Sequence, residues 1–203
     1  MARLSRDEYS ASLTKSSLKA QEVRIIAALL QEGRPASEVV ETVVAENLLQ
    51  KRSTNSTRTL VNYHLRRLYL VTPAVIQVAA NGSFREATQA TLVAALSESR
   101  LLRDFFTHIR AVLQSGRRFL AASDWITFLD WLEGQDPSVA RWTPVVRSKL
   151  RQNIWRILAE SEVTDSTKHM RLQAVRMEPS IRECLKDASL LAVSRALEAG
   201  GFE

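Results

Sequence analysis

Apolar residues recur at the spacing of an amphipathic helix along most of this chain, and this periodicity constrains the fold more than any other feature. The first such stretch places Leu18, Ile25, Ile26 and Leu29 on one face and ends at Gly33, which is suited to a C-terminal cap. The 203 residues include only 6 Gly and 5 Pro, too few for the many tight turns of an all-β fold. The sequence therefore predicts a predominantly all-α fold.

The same reasoning divides most of the chain into helices separated by short polar segments. Residues 1–15 are polar and predict an arm, and Asn55 or Ser56 is the expected cap of the third helix. Thr143 and Pro144 together form a strong helix start. The predicted helices cover residues 17–32, 37–49, 56–71, 73–80, 83–99, 100–115, 123–134, 144–160 and 180–199.

Two small helical domains are predicted, with their boundary near residues 116–123. The first covers residues 1–118 and carries a basic segment at 51–67, and the second covers residues 123–203. Residues 163–179 contain the only plausible strands, and within them His169 to Met177 alternates between polar and apolar side chains, which predicts a short β-hairpin. The second domain then has the order helix, turn, helix, hairpin, which is typical of a winged helix-turn-helix.

The helix predicted at 144–160 has an outer face suited to nucleic acid. Its apolar residues cluster on one side at 100° per residue, and short polar and cationic side chains fall opposite them. An ordinary amphipathic helix with a solvated face is the alternative. The candidate contacts are Ser148, Lys149, Gln152 and Arg156 on that face, Arg147 and Arg151 beside it, and Lys168 and Arg171 on the predicted hairpin.

Charge is distributed unevenly along the chain, which has a formal net charge of +6 with 28 basic residues against 22 acidic ones. Residues 51–122 hold 11 basic and 3 acidic side chains, and residues 141–176 hold 8 and 3, whereas residues 1–50 hold 6 and 7. Two separate basic blocks indicate a polyanion as partner. The excess of Arg over Lys adds less, because a GC-rich genome also produces it.

The second candidate site is the basic segment that leads into the helix at 56–71. Arg58, Asn62 and Arg66 are spaced four residues apart and form one stripe. Free backbone N–H groups at the start of a helix favour a phosphate. An exposed face that binds nothing is the alternative. The complete candidate set is Arg52, Ser53, Asn55, Ser56, Arg58, Asn62, Arg66 and Arg67. We call it the α3 segment, after α3, the third predicted helix at residues 56–71.

Catalysis, cofactors and metals find little support in the sequence. His64, His108 and His169 have no Cys, His or carboxylate at metal-ligand spacing, and no phosphate-binding loop or hydrolase motif is present. We therefore expect no enzyme activity, no cofactor and no metal. Cys184, the only cysteine, is expected to be a core thiol, and the four Trp are expected in the core, although Trp155 projects near an outer helix face. No signal peptide or membrane segment is predicted, so a cytoplasmic location is expected.

Longer stretches of the sequence resemble the BrxA family of bacteriophage exclusion (BREX) systems. The resemblance lies in YSASLTKSSLKAQEVRIIAALLQEG, in VVAENLLQKRSTNSTRTLVNYHLRRLYLV, in the LLRDFF block and in the Asp124–Trp125 pair. It implies a small helical, cytosolic, bacterial protein encoded beside other defence components, with a fold related to NusB-like helical bundles. It also implies double-stranded DNA binding without catalysis. The basic stretch that matches the family runs from Arg52 to Arg67.

The leading hypothesis is thus a DNA-binding accessory protein of a BREX phage-defence system, with duplex DNA and other BREX proteins as partners. Two alternatives stay open: an interaction adaptor whose basic faces meet acidic proteins, and an RNA-binding protein by analogy with NusB alone. The sequence leaves open whether the chain is a monomer or a weak dimer.

Overall fold

A computed structural model describes residues 9–203 and contains ten α-helices within that range, so the prediction of a predominantly helical chain is confirmed. None of the described helices is both long and apolar enough to cross a membrane. The helices are α1 Ala20–Gln31, α2 Ala36–Ala45, α3 Thr54–Leu68, α4 Pro73–Asn81, α5 Phe84–Glu98, α6 Arg100–Gln114, α7 Ala122–Gln135, α8 Pro144–Glu160, α9 Pro179–Cys184 and α10 Leu191–Ala199.

Short 3₁₀ turns at Ser12–Thr14, Pro137–Arg141 and Ala188–Leu190 complete the described elements. Of the polar arm predicted over residues 1–15, residues 1–8 lie outside the described part of the chain. The turn at Pro137–Arg141 lies between α7 and α8.

Local capping chemistry explains where several helices begin. The Oγ of Ser53 accepts a hydrogen bond from the N–H of Ser56 at 3.3 Å, so α3 starts before the predicted cap at Asn55 or Ser56. Thr143 caps α8 in the same way and Pro144 is its first residue, as predicted. At α7 the Asp124 carboxylate accepts a hydrogen bond from the Ala121 N–H, and the helix starts at Ala122, one residue before the predicted start at residue 123.

The structure does not support the predicted β-hairpin and winged helix. Residues 163–177 form no named strand and make only isolated bridges, one within this segment and two to other segments. Arg171 pairs with Phe119, Leu172 with Thr164, and Val175 with Phe202. The alternation reports a buried side of the chain at Met170 and Leu172, but it shifts by one residue after Leu172, because Ala174 is exposed and Val175 is buried. It carries no information on what covers that side.

The single helix predicted at 180–199 is interrupted. Asp187 Oδ1 accepts hydrogen bonds from the Ser189 N–H at 2.8 Å and from the Ser189 hydroxyl at 2.7 Å. A side chain that offers the backbone such a partner competes with the helical ladder. α9 therefore ends at Cys184, and a 3₁₀ turn precedes α10.

The described chain packs into two compact units, each built from segments that are distant in sequence. The first unit contains residues 9–17, 99–176 and 192–203, and the second contains residues 18–98 and 177–191. The boundary that the sequence predicts near residues 116–123 lies inside the first unit. α6, α7 and α8 belong to the first unit, and α1 to α5 with α9 belong to the second.

α5 is the central helix of the second unit, where it packs against α1, α3, α4 and α9. Its residues from Ala87 to Ser97 are all buried, so this part of the helix has no solvated face. The buried hydroxyls are satisfied within the helix: Thr91 Oγ1 donates to the Ala87 carbonyl at 2.8 Å and Ser97 Oγ to the Val93 carbonyl at 2.9 Å. Small and hydroxylated residues therefore suit this crowded position.

An aromatic cluster forms the core of the first unit. The Phe105 ring lies 4.9 Å from Phe128 and 5.6 Å from Trp155, measured between centroids, and Trp125 lies 6.2 Å from Trp155. Such edge-on and tilted contacts add to the free energy of burial. Trp125 is buried as expected, whereas Trp131 is 47% exposed. The cluster holds α6, α7 and α8 together.

His64 of α3 makes the stability of the protein depend on pH. Its side chain is wholly buried, and burial together with the charges of Arg67 and Lys19 lowers its pKa from 6.5 to about 3. Between these two values the unfolded chain binds a proton that the folded chain does not. Stability is therefore expected to fall as the pH drops below 6.5, by about 1.4 kcal/mol per pH unit from this residue.

Urea unfolding at pH 7.5, 6.5, 5.5 and 4.5 measures this dependence. The His64→Gln variant should lose less stability than the parent chain between pH 6.5 and 4.5, whatever its stability at pH 7.5. His169→Gln is the matched control, because the His169 side chain is 67% exposed. Parallel curves for the parent and His64→Gln would show that His64 does not carry the effect.

Candidate nucleic-acid interface

In the α3 segment, three of the four arginines are paired with carboxylates. Arg58 Nη1 lies 2.6 Å from Glu41 Oε1, and this hydrogen bond raises the pKa of Arg58 and lowers that of Glu41. Arg66 contacts Glu98, and Arg67 Nε lies 3.0 Å from the other oxygen of the same carboxylate. The positive charge that the sequence places here is largely offset within the unit.

Arg67 is a structural residue. Its side chain is 1% exposed, its guanidinium lies 4.3 Å from the centroid of the Tyr63 ring, and it donates a hydrogen bond to the Tyr63 hydroxyl. The ion pair with Glu98, whose side chain is 7% exposed, links α3 to the end of α5. A buried arginine held in this way cannot reach a phosphate.

The rest of the α3 segment is exposed, and two of its side chains form hydrogen bonds with backbone groups of α3. Ser53 is the cap described above, and Asn62 Nδ2 donates to the Arg58 carbonyl at 3.0 Å. Arg52, Asn55 and Ser56 are exposed at the start of the helix. Arg52 forms no ion pair with any other described residue. One free cation therefore remains here.

α8 presents the faces that its periodicity predicts. Leu150, Ile154, Ile157 and Leu158 are fully buried. Their opposite side is exposed and consists of Ser148, Lys149, Gln152 and Arg156. Lys149, Arg151 and Arg156 form no ion pair within the described part of the chain. The helix thus carries three cations whose charge is not offset by a contacting carboxylate.

Arg147, at the start of α8, is engaged differently. Its Nη2 lies 2.6 Å from Glu133 Oε1, and its Nε donates to the Trp142 carbonyl at 2.9 Å. These contacts fix the turn before α8 against the end of α7. Arg147 thus has a role in packing that the sequence pattern does not reveal.

A groove runs between α8, the first residues of α7 and the segment at 167–170, all within the first unit. Its volume is about 640 Å³. Buried Leu120 and Met170 and half-buried Trp155 contribute apolar surface. The remaining lining residues are Ala121 and Ala122 at the start of α7, Arg151, Gln152 and Arg156 of α8, and Thr167 and Lys168. We call this site the α8 groove.

Helix spacing and one tight turn bring the cations of the α8 groove together. Arg151 and Trp155 are four residues apart, as are Gln152 and Arg156, so the two pairs form adjacent rows. Lys168 is presented by a turn in which Ser166 Oγ accepts a hydrogen bond from the His169 N–H at 3.0 Å. The Leu120 N–H donates to the Met170 carbonyl at 3.0 Å and joins this turn to the segment before α7.

The acidic residue in the first turn of α7 does not offset these cations. Burial alone would raise the pKa of Asp124, but hydrogen bonds from Arg117 and from the Ala121 N–H outweigh it and lower that pKa. Arg117 Nη1 lies 3.1 Å from Asp124 Oδ2. The carboxylate is thus ionised and already paired.

Four of the predicted contact residues line the α8 groove, namely Arg151, Gln152, Arg156 and Lys168. Arg171 is exposed on the same segment as Lys168 but is not among the lining residues. The sequence pattern does not indicate Thr167 or the start of α7, because nothing local relates them to α8. A weak signal exists in Ala121–Ala122, two small residues where a capping hydroxyl would be usual.

The described residues contain no cluster of side chains that would hold a metal ion. No group of three or more His, Cys, Asp or Glu side chains is placed to hold a metal ion there. Cys184 is buried, and burial raises the pKa of its thiol, which disfavours a nucleophilic thiolate.

Comparison with known proteins gives one consistent result. A family model described as BrxA matches residues 7–189. A protein named BREX protein BrxA from Paramagnetospirillum magneticum is 30% identical over 191 residues, which cover 94% of this chain and 96% of that protein. One of the same name from Escherichia coli O9:H4 is 27% identical and covers 83% and 80% of the two chains. A crystal structure of an uncharacterized protein from Magnetospirillum magneticum superposes with a TM-score of 0.84 at 30% identity, covering 94% of this chain and 98% of that one.

Proposed function

The chain belongs to the BrxA family, and from this membership we propose that it is a non-enzymatic accessory protein of a BREX bacteriophage-defence system that binds double-stranded DNA. Binding rests mainly on the phosphate backbone, and the proposed setting is the bacterial cytoplasm with other BREX proteins as partners. The relation to NusB-like bundles stays a prediction.

The observation that supports DNA binding is the set of cations on α8 and at Lys168 that pair with no carboxylate in the described chain. Arginine is well suited to phosphate because its planar fork donates two hydrogen bonds. Lys149 and Arg156 are separated by seven residues, or about 10 Å along the helix axis. This distance equals about three base-pair steps of 3.4 Å along the axis of the duplex.

The proposed interface differs from the set that the sequence suggests. It keeps Lys149, Arg151, Arg156 and Lys168 as phosphate contacts, with Ser148, Gln152 and Arg171 beside them. Arg67 is left out because it is buried, and Arg58 and Arg66 because their charges are offset. Arg52 is retained as an accessory contact.

A salt-titrated binding assay tests the proposal. The affinity for a 20-base-pair duplex is measured between 50 and 300 mM salt, with single-stranded DNA and RNA of the same sequence as comparators. Each neutralised phosphate contributes about −0.9 to the slope of log affinity against log salt for duplex DNA, so four contacts give a slope near −3.6. A duplex left unbound at 50 mM salt, or an affinity indifferent to salt, would refute it. Tighter binding of RNA would favour the RNA-binding alternative.

An adaptor role is the second candidate, and exposed apolar side chains on α7 and α8 favour it. Ile126 is 58% exposed and Val145 is 75% exposed, and Ile126 lines a cavity of about 300 Å³ with Leu129 and Pro144. Exposed apolar patches often mark protein contacts. Co-purification with other BREX proteins, combined with no shift of naked duplex, would favour this candidate over DNA binding.

A further inference from the structure

The α8 groove is larger and more aromatic than contact with a phosphate backbone requires. Cations on an exposed helix face can neutralise phosphates without any concavity. Here a concavity of about 640 Å³ lies beside them, within the range of about 300–1,000 Å³ typical of small-ligand sites. A paired duplex keeps its bases stacked and cannot fill such a space with its backbone alone.

Trp155 gives the groove an aromatic surface that is held in place. Its ring is 5.6 Å from Phe105 and 6.2 Å from Trp125, between centroids, so the core fixes the indole from the inside. The side chain is only half-buried, and it lines the groove. An indole that is held rigidly and is accessible on one side loses little entropy when a flat ring packs against it.

The other lining residues supply the groups that complete a nucleotide site. Gln152 and Thr167 are exposed there, and an amide and a hydroxyl can both donate to and accept from a base edge. Arg151, Arg156 and Lys168 bring three positive charges to the same groove. An aromatic surface, adaptable hydrogen-bonding groups and cations together match a base and its phosphate.

We propose that the α8 groove binds a single unpaired nucleotide, with its base against Trp155 and its phosphate on Arg151, Arg156 and Lys168. The inference rests on the proposed DNA-binding function and deepens it. The nucleotide has two possible sources with the same chemistry: one extrahelical nucleotide in a duplex, or a free nucleoside monophosphate. An extrahelical base is already unstacked, so the protein does not have to supply that free energy.

The test compares a duplex carrying one extrahelical adenosine with the fully paired duplex and with free dAMP. The bulged duplex is expected to bind about tenfold more tightly than the paired one, since contact with an aromatic side chain strengthens binding by that order. Trp155→Leu, which keeps an apolar side chain against Phe105, should bring the affinity for the bulged duplex down to that of the paired duplex. Trp131→Leu is the matched control and should keep the preference, because Trp131 does not line this groove.

A second variant tests the inference without the risk that the substitution prevents folding. Gln152 and Thr167 are exposed, so the double change Gln152→Ala, Thr167→Ala should fold normally and reduce the preference several-fold. Equal affinity of the parent chain for the two duplexes, without binding of dAMP, would overturn the inference and leave DNA binding intact. Failure to bind either duplex would refute DNA binding, and the dAMP titration would then decide the inference alone. Binding of dAMP without a preference for the bulged duplex identifies the free nucleotide as the ligand.

Discussion

Replacing Arg151, Arg156 and Lys168 together by glutamine is expected to weaken duplex binding about 1,000-fold at low salt. Each charged hydrogen bond contributes about 1.5–3 kcal/mol, and a factor of ten in affinity corresponds to about 1.4 kcal/mol. Loss of three phosphate contacts should also make the salt slope shallower by about 2.7. A salt-titrated shift assay measures both changes in one experiment.

The control for this variant removes the same charge elsewhere. Arg110, Arg182 and Arg195 are exposed, pair with no described carboxylate and do not line the α8 groove. Changing these three to glutamine should lower the affinity only several-fold through the smaller net charge. Equal losses in the two triple variants would mean that binding depends on net charge and not on the α8 groove.

A third variant separates the two basic blocks of the sequence. Arg52→Gln with Arg58→Gln changes the most exposed arginines of the α3 segment. It should affect duplex affinity much less than the α8 groove variant, because Arg58 is already paired with Glu41. A loss of affinity as large as that of the groove variant would show that the α3 segment is a main part of the interface.

Removal of the buried arginine has the second large expected effect, this time on stability. Arg67→Met leaves the Glu98 carboxylate, 7% exposed, without its main partner. Breaking a buried ion pair in this way costs about 3–5 kcal/mol, and we expect the lower end because Arg66 still contacts Glu98. At about 2–4 °C per kcal/mol, the melting temperature should fall by about 6–12 °C.

Two further variants identify the cause of that loss. The double change Arg67→Met, Glu98→Met removes both charges and should recover most of the stability, since the unpaired carboxylate causes the damage. Arg58→Met makes the same substitution in an exposed pair of the same helix and should change the melting temperature little. If the double variant were no more stable than Arg67→Met, lost packing of the arginine would be the cause.

The helices show which features of the fold a local sequence pattern predicts. The fully buried residues of α8 and its exposed cations follow directly from its period, and the cap at Thr143 sets its start. The alternation at 169–177 reports burial correctly at Met170 and Leu172 and shifts by one residue at Val175. The predicted hairpin fails because a buried side of an extended segment can be covered by helices and loops as well as by a strand.

The α3 segment shows that the charges in a sequence do not predict which of them are paired in the fold. Its arginines stand on the predicted stripe, but Glu41 and Glu98 come from α2 and α5, far from it in sequence. A count of charges cannot reveal such pairing, since it depends on which helices become neighbours. The α8 groove presents the converse case: Lys168 and the start of α7 join α8 only through the packing of the first unit.

The sequence by itself determined the helical class, most helix positions, the inward and outward faces of α8 and the resemblance to BrxA, because these depend on spacing and order along the chain. Only the tertiary structure decided which cations remain unpaired and which residues line one groove. The physical reason is that the field of a charged side chain depends on its distance to other charges and to solvent, and those distances are set by packing between segments remote in sequence.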